Sequence, residues 1–323
     1  MADPITIERL IDATPDEAFA MFTEPERLRR WHTVSAAVDL RVGGDYRFTV
    51  VPGNVAVGTF TEIDPGRRVV LTWDWAGQDP LGSTVTVDFE PQGAQTLVRL
   101  THEGLDEEHG TGHAEGWNHY ADRLVVAAST GDAGDDPWMM GREEYDPLSA
   151  AEASWAICQG VMRQLTPETR ELPTPCSAFT VHELVEHLMG SMRALGGMAG
   201  AEVPESIEAS SAEDYIAQAS ELALAAWRDR GVEGEVPFGD GNAPATVPVG
   251  ILSLEFLIHA WDFATAIGAP VSSPAPLTAF VQELGAMIIQ PDNRGEGKGF
   301  AEETTTSSDD PLVQLMAFTG RQT

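Results

Sequence analysis

The stretch that decides the fold of the second half of this chain is VGILSLEFLIHAWDFATA, residues 249–266. It is apolar on nearly every side except along one line, formed by Glu255, His259 and Asp262 at positions i, i+4 and i+7. On a helix of 3.6 residues per turn these three side chains lie along one face. A buried carboxylate or imidazole costs several kcal/mol unless it is paired or binds a metal. The stretch therefore predicts a buried helix whose polar line needs a partner, and Glu-x-x-x-His presents two ligands to one divalent ion.

The predicted partner is His187, on a helix expected over 180–199. His187 shares a face with the leucines of this helix, whereas His182 lies about 140° away, at roughly 100° per residue. A buried histidine alone is more often a hydrogen-bonded core residue than a ligand. Together with Glu255 and His259, however, His187 completes the three-ligand set of an open zinc or similar divalent site, with positions left for water or substrate.

Two further residues near this constellation have open roles. Asp262 lies one turn beyond His259, where it orients a ligand or acts as a base, or instead caps or hydrogen-bonds a neighbouring helix. Cys176 lies four residues before a helix N-terminus, which favours a thiolate that is redox-active or near the metal. Its alternative role is that of a small apolar residue in a Pro-x-Pro-Cys turn.

Composition sets broad limits on the function. The 323 residues favour two domains, and a net charge of −32 with no basic patch makes nucleic-acid binding improbable. Two cysteines give no disulfide framework, and neither a signal peptide nor an apolar run of about 20 residues is visible. We therefore expect a cytoplasmic protein without a membrane partner; the oligomeric state stays open.

The two halves of the chain differ in their hydropathy patterns and are separated by a Gly-, Asp- and Pro-rich linker. We expect a first domain over 1–130, a linker over 131–146 and a helical domain over 147–323. The first half alternates in hydropathy and is typical of an α+β meander with bracketing helices. Its strands are predicted at 36–50, 55–63, 68–75, 84–90 and 96–103, and its helices at 14–23 and 112–129. The second half predicts helices at 147–165, 180–199, 211–230, 249–267 and 276–290.

Three segments of the second half resemble segments of a known family. They are PTPCSAFTVHELVEHL (173–188), LEFLIHAWDFATAIG (254–268) and FTGR (318–321). The second half resembles the DinB-like four-helix-bundle proteins, and more narrowly the metal-binding domain of mycothiol-dependent maleylpyruvate isomerases and their actinobacterial relatives. The resemblance implies an all-α bundle in which His187, Glu255 and His259 are the metal ligands. Phe179 replaces the tryptophan that is usual in that family.

The first half resembles another family. The segments that carry the likeness are IERLIDATPDEAFAMFTEPERLRRWH (7–32), GGDYRF (43–48), GTFTEIDPGRRVVLTW (58–73) and GHAEGWNHYADRL (112–124). They are similar to START-like, helix-grip SRPBCC proteins, in particular homologues of the activator of the ninety-kilodalton heat-shock protein's ATPase. The resemblance implies a curved antiparallel sheet that grips a long C-terminal helix, with an apolar cavity between them. The aromatic residues that line such a pocket, or else form plain core, are Phe60, Trp31, Trp73, Trp75 and Trp117.

Three functions follow from these patterns. The first is an enzyme that uses zinc, or alternatively nickel, iron or manganese, to activate a thiol such as mycothiol toward a small electrophile, as a transferase or isomerase. Its START-like half would hold an apolar small molecule. The second is a non-catalytic metabolite sensor or stress-response protein with a structural metal. The third is a co-chaperone-like interaction protein.

Overall fold

The computed structural model describes residues 2–176, 178–295 and 298–323. Contacts within the chain divide it into two compact units, Met1–Asp136 and Pro137–Thr323. The boundary between the units falls inside the segment expected to be a linker. The GDDP sequence there carries the charges, glycine and proline that disfavour a continuous helix.

The first unit is built on a seven-stranded antiparallel sheet with the strand order β1-β7-β6-β5-β4-β3-β2. Helices α1 and α2 follow β1, and the long helix α3 follows β7. The strands are β1 Ile5–Ile11, β2 Ser35–Val38, β3 Asp45–Val51, β4 Asn54–Asp64, β5 Arg68–Trp75, β6 Ser83–Gln92 and β7 Gln95–Glu103. The helices are α1 Pro15–Thr23, α2 Pro25–Leu28 and α3 Glu107–Thr130.

Alternating burial explains the sheet. In β6 every second residue is buried, namely Ser83, Val85, Val87 and Phe89, so one face of the strand contributes to the core. Helix α3 contributes Trp117, Tyr120 and Leu124, among others, to the same core. An antiparallel sheet with bracketing helices fits the helix-grip domain expected from the sequence.

Two sequence predictions for this unit are corrected. The strand expected over 36–50 is two strands, because a turn with Gly43 in a positive-φ conformation separates β2 from β3. The edge strand β1 was not predicted. Its burial does alternate, but Arg9 lies between the buried Ile7 and Ile11 on the same face, where it bonds to Asp122 of α3, and this charge interrupts the pattern of hydropathy.

The second unit is mainly helical. Helices α4 and α5 each pack against both α6 and α7, while α8 packs against α7 and α9. Its helices are α4 Pro147–Met162, α5 Val181–Gly197, α6 Ala212–Arg230, α7 Thr246–Ile267, α8 Ala275–Ile288 and α9 Pro311–Phe318. A short hairpin, β8 Glu235–Phe238 and β9 Gly241–Pro244, precedes α7. The hairpin and α9 were not predicted; the DinB-like assignment of the bundle stays a prediction.

Helix α7 is the core element of this unit. By length and composition it could cross a membrane, with a mean hydropathy of 1.3 in its most apolar part. Its most apolar part is, however, 78% buried inside the protein, as in the core helix of a soluble bundle. Fourteen of its residues are buried, among them His259 and Asp262. The polar line of α7 is therefore enclosed, as its sequence predicts.

Candidate metal centre

Helices α5 and α7 bring the predicted ligands together. Helix α5 begins with a capping box in which the backbone N–H of Thr180 donates to Glu183 Oε2 at 2.8 Å and the Thr180 hydroxyl accepts from the Glu183 N–H. This cap fixes the start of α5, and His187 follows two turns later on the side packed against α7. Glu255 and His259 are one turn apart on α7 and face His187.

Three potential ligand atoms converge at this point. Nε2 of His187 lies 3.0 Å from Oε2 of Glu255, and Nε2 of His259 lies 3.8 Å from the same oxygen. One ligand atom from each of the three residues lies within 4.8 Å of the others. The two imidazole rings are nearly perpendicular, with centroids 5.2 Å apart. The Nε2 atoms of both rings thus lie within 3.8 Å of the same carboxylate oxygen.

Exposure is graded across the three side chains. The side chain of His259 is 7% exposed, that of Glu255 18% and that of His187 34%. Solvent therefore reaches the cluster from the His187 side. Phe179 stacks on the His187 ring on this side, with centroids 5.0 Å apart and an angle of 26° between the rings.

The charges of the cluster stabilise one another. Burial alone would raise the pKa of Glu255, but the hydrogen bond from His187, the charges of both histidines and a hydrogen bond from Ser191 outweigh it and lower that pKa to about 2. The Ser191 hydroxyl donates to Glu255 Oε2 at 2.7 Å. The hydrogen bond to Glu255 in turn raises the pKa of His187. Glu255 is therefore an anion at neutral pH, as a metal ligand must be.

Asp262 contacts His259 on the side of the ring opposite to Nε2. Its Oδ2 accepts a hydrogen bond from His259 Nδ1 at 2.9 Å, and both of its oxygens accept from Arg321, at 2.8 Å and 3.3 Å. Burial would raise the pKa of Asp262, yet the bonds from His259 and Arg321 lower it overall. A carboxylate with both oxygens occupied and a lowered pKa is a poor base. Of the open roles for Asp262, the geometry favours the one that orients His259.

Arg321 is the site residue that sequence reasoning missed. It follows α9, far along the chain from α5 and α7, and its side chain is buried. The available signal was the FTGR segment, which contributed to the family resemblance without a role for its arginine. No local periodicity links position 321 to position 262.

Cys176 was expected to be either a thiolate or a small apolar residue of its turn. It is half-buried in the turn before α5, and burial raises the pKa of its thiol. The charge of Arg321 acts in the opposite direction, but that of Asp262 reinforces the effect of burial. The neutral thiol is favoured because desolvation outweighs the nearby cation and no backbone amide bond compensates sufficiently.

The aromatic residues of the first unit mostly form core. Phe60, Trp31, Trp73 and Trp117 are buried and Trp75 is partly buried, within one apolar cluster. A cavity between β1, β7 and α3 has a volume of about 10 Å³, the space of one water molecule. The pocket expected between the sheet and α3 is thus filled by side chains in this conformation.

A hydrogen-bonded chain crosses this interior. Trp117 Nε1 donates to His102 Nδ1 at 3.0 Å, His102 Nε2 bonds the Ser83 hydroxyl at 2.9 Å, and that hydroxyl donates to the carbonyl of Trp73 at 2.7 Å. This order of donors requires the proton of His102 on Nε2. The indole N–H of Trp73, in contrast, is buried without a partner among the residues that the structure describes.

Comparison with known proteins shows what the first unit is similar to. Residues 12–129 match the family model of Activator of Hsp90 ATPase homolog 1-like proteins. The activator of 90 kDa heat shock protein ATPase homolog 1 of Mus musculus is 26% identical over 118 residues, which cover 36% of this chain and 34% of the mouse protein. The chain thus spans about a third of the length of that relative. The match supports a START-like domain similar to this family over residues 12–129 of the first unit.

Other proteins are similar to this chain as well. CalU16 from Micromonospora echinospora, a solved structure, is 30% identical over 40% of this chain and 77% of its own, with a TM-score of 0.35. An uncharacterized protein of Mycobacterium tuberculosis is 28% identical over 182 residues, which cover 54% of this chain and 98% of the relative. An alignment of that length exceeds the first unit, which ends at Asp136, so it includes part of the second unit.

Proposed function

We propose that the second unit binds one divalent metal ion through Nε2 of His187, Oε2 of Glu255 and Nε2 of His259. The observation that carries the proposal is the convergence of these three atoms within 4.8 Å on two helices whose other contacts are mostly apolar. Two imidazoles and a carboxylate suit zinc, and they also accept nickel, iron or manganese.

The spacing of the atoms supports this assignment. Ligands placed tetrahedrally at zinc bond lengths of 2.0–2.2 Å lie about 3.3 Å apart. The observed separations of 3.0 Å and 3.8 Å from Glu255 Oε2 lie on either side of this value.

The surrounding hydrogen bonds also suit a metal. His259 donates its Nδ1 proton to Asp262, so the lone pair of Nε2 is free for coordination. The Ser191 hydroxyl holds the Glu255 carboxylate toward the two histidines. A carboxylate–histidine pair of this kind fixes both the tautomer and the orientation of a ligand.

We further propose that the centre is catalytic rather than structural. Three protein ligands leave a coordination position for an exogenous group, and the exposed His187 side gives that group access. A divalent ion with an open position lowers the pKa of a bound water or thiol. With the resemblance to mycothiol-dependent isomerases, this supports a thiol-dependent transferase or isomerase that acts on a small electrophile in the cytoplasm, with mycothiol as the thiol.

The first unit would then hold an apolar small molecule. The unpartnered indole N–H of Trp73, surrounded by the rings of Trp75 and Trp117, supports a ligand with a hydrogen-bond acceptor. Because the interior cavity is only about 10 Å³, such a ligand requires side-chain movement. The alternative function is a metabolite sensor with a structural metal. It would bind the same kind of apolar small molecule in the first unit.

A second candidate function is a co-chaperone-like interaction. The match of residues 12–129 to the activator family favours it. Stimulation of a bacterial Hsp90-type ATPase by the purified full chain tests it directly, with heat-denatured chain as the control.

The enzyme hypothesis is tested by thiol-dependent turnover. The zinc-loaded protein should accelerate the reaction of mycothiol with a small electrophile such as maleylpyruvate or a haloarene, and His259→Ala should abolish the acceleration. Glutathione in place of mycothiol shows whether the thiol is selected. Stoichiometric metal without turnover of any such electrophile would favour the sensor.

A further inference from the structure

We infer that Arg321 is a positioning residue for the metal centre: by fixing the rotation of the Asp262 carboxylate, it fixes which nitrogen of His259 carries the proton. This inference rests on the proposed metal site. If it is correct, a residue that follows α9 affects how tightly the three side chains on α5 and α7 bind the metal ion.

The contacts of Asp262 define the mechanism. Arg321 Nη2 donates to Oδ2 at 2.8 Å and Arg321 Nε donates to Oδ1 at 3.3 Å, so the guanidinium meets the carboxylate side-on. Oδ2 also accepts the proton of His259 Nδ1 at 2.9 Å. The planar fork of arginine fixes the plane of a carboxylate, which a single point charge would not do. With that plane fixed, Oδ2 is presented to Nδ1, and Nε2 of His259 faces Glu255.

The backbone that carries Arg321 is held in place independently of its side chain. The N–H of Arg321 donates to the carbonyl of Met316 at 3.0 Å, and the hydroxyl of Thr304 donates to the carbonyl of Arg321 at 2.6 Å. Gly320 has φ +90°, and a Cβ at that position would lie 2.7 Å from the Cβ of Ala301. The segment can therefore approach residues 301–304 closely enough to direct the guanidinium inward only with glycine at 320.

A purely structural ion pair is the competing explanation. Asp262 is completely buried and Arg321 nearly so, and removal of one partner of such a pair destabilises a protein whatever its other role. Stability alone therefore does not distinguish the two explanations. The tautomer of His259 and the affinity for metal distinguish them, because an Arg321–Asp262 ion pair that only stabilises the fold would leave both properties unchanged when it is removed.

The experiment is a double-mutant cycle on the full chain, with Arg321→Met, Asp262→Asn and the double variant. Zinc affinity is measured at pH 7 by competition with a chelating dye. Arg321→Met should weaken zinc binding by about 10-fold, the lower range for loss of an outer-shell partner. In the Asp262→Asn background the same change should cost less than about 2-fold, since the carboxylate that transmits the effect is gone.

A matched control uses another ion pair of the same unit, in which the carboxylate is completely buried. Arg163, at the C-terminal cap of α4, lies 3.9 Å from the buried carboxylate of Glu213 on α6. Arg163→Met should lower stability without a change in zinc affinity. If Arg321→Met does not fold, Arg321→Lys, which keeps the charge but not the fork, is measured against the same criteria.

A second measurement does not need the metal. The ¹⁵N chemical shifts of the His259 imidazole in zinc-free protein should show the Nδ1-protonated tautomer in the wild type and a mixture of tautomers in Arg321→Met. Wild-type protein that binds no zinc would overturn the proposed metal site, while the tautomer would still report on Arg321. Wild-type protein that binds zinc, with equal affinity and the same tautomer in Arg321→Met, would overturn the role of Arg321.

Discussion

Nδ1 of His259 lies 2.9 Å from Oδ2 of Asp262, one turn further along the same buried helix. This hydrogen bond leaves Nε2 as the nitrogen that faces Glu255. The i, i+4, i+7 spacing of α7 thus combines a ligand pair and the residue that orients it on one face. The following predictions depend on this arrangement.

The first prediction concerns Glu255. Glu255→Gln keeps the size of the side chain but removes its negative charge. That charge attracts the metal cation and also the two imidazole rings. Zinc affinity should fall by at least about 100-fold, the upper range for outer-shell losses, because a direct ligand is changed. Glu186→Gln, an exposed carboxylate next to His187 on α5, is the matched control and should bind zinc normally. Equal affinities in the two variants would contradict the ligand assignment.

The second prediction concerns Phe179, which stacks on His187. Phe179→Ala removes the ring that restricts the rotation of the most exposed ligand and should weaken zinc binding by about 3-fold, in line with an aromatic pair worth about 0.5–1.5 kcal/mol. Phe179→Trp, which restores the residue usual in the family that the sequence resembles, should retain wild-type affinity. Calorimetric zinc titration of both variants provides the comparison, and a loss in Phe179→Trp as large as in Phe179→Ala would refute the stacking role.

The third prediction concerns the pH dependence of stability in the first unit. Burial lowers the pKa of His32 from 6.5 to about 3, so the unfolded chain takes up this proton at a higher pH than the folded chain. Stability should therefore fall as the pH drops below about 6.5, by about 2 kcal/mol between pH 7 and pH 5 for this histidine. Urea denaturation of His32→Phe should show a correspondingly smaller loss between these pH values. An identical loss in both proteins would show that His32 is not buried in the neutral form.

The fourth prediction compares two glycines of the second unit. At Gly320, alanine would adopt an unfavourable positive φ and collide with Ala301, so Gly320→Ala should destabilise the unit by about 2 kcal/mol. At Gly190, an exposed position on α5 with open space around it, alanine should stabilise the helix by about 0.5–1 kcal/mol. Thermal unfolding of both variants tests this prediction. Changes of the unfolding temperature with the same sign in both variants would be inconsistent with a positive φ at residue 320.

The sequence predicted those features that depend on local periodicity. The 3.6-residue pattern of α7 and the capping box of α5 located Glu255, His259 and His187 on helices, and the structure brings their ligand atoms together. Alternation located most strands of the first unit, and the family match of residues 12–129 agrees with the resemblance seen there.

Features that depend on tertiary contacts were missed or left open. Arg321 reaches Asp262 across 59 residues of sequence, and no local pattern encodes that contact. For Cys176 the sequence left a thiolate and a small apolar residue of the turn open, and desolvation by the fold, which raises the pKa of the thiol, favours the neutral form. For the aromatic residues of the first unit, core was the commoner expectation and a pocket stayed open, because only packing decides how much space remains between them.

Metal analysis of the purified full chain tests the central claim most directly. After zinc loading and removal of free ions, elemental analysis should find about one ion per wild-type chain and none above background in His187→Ala or His259→Ala. His182→Ala, a histidine of α5 outside the cluster, should retain the ion. A wild-type chain without stoichiometric metal, or a His259→Ala variant with full occupancy, would contradict the account.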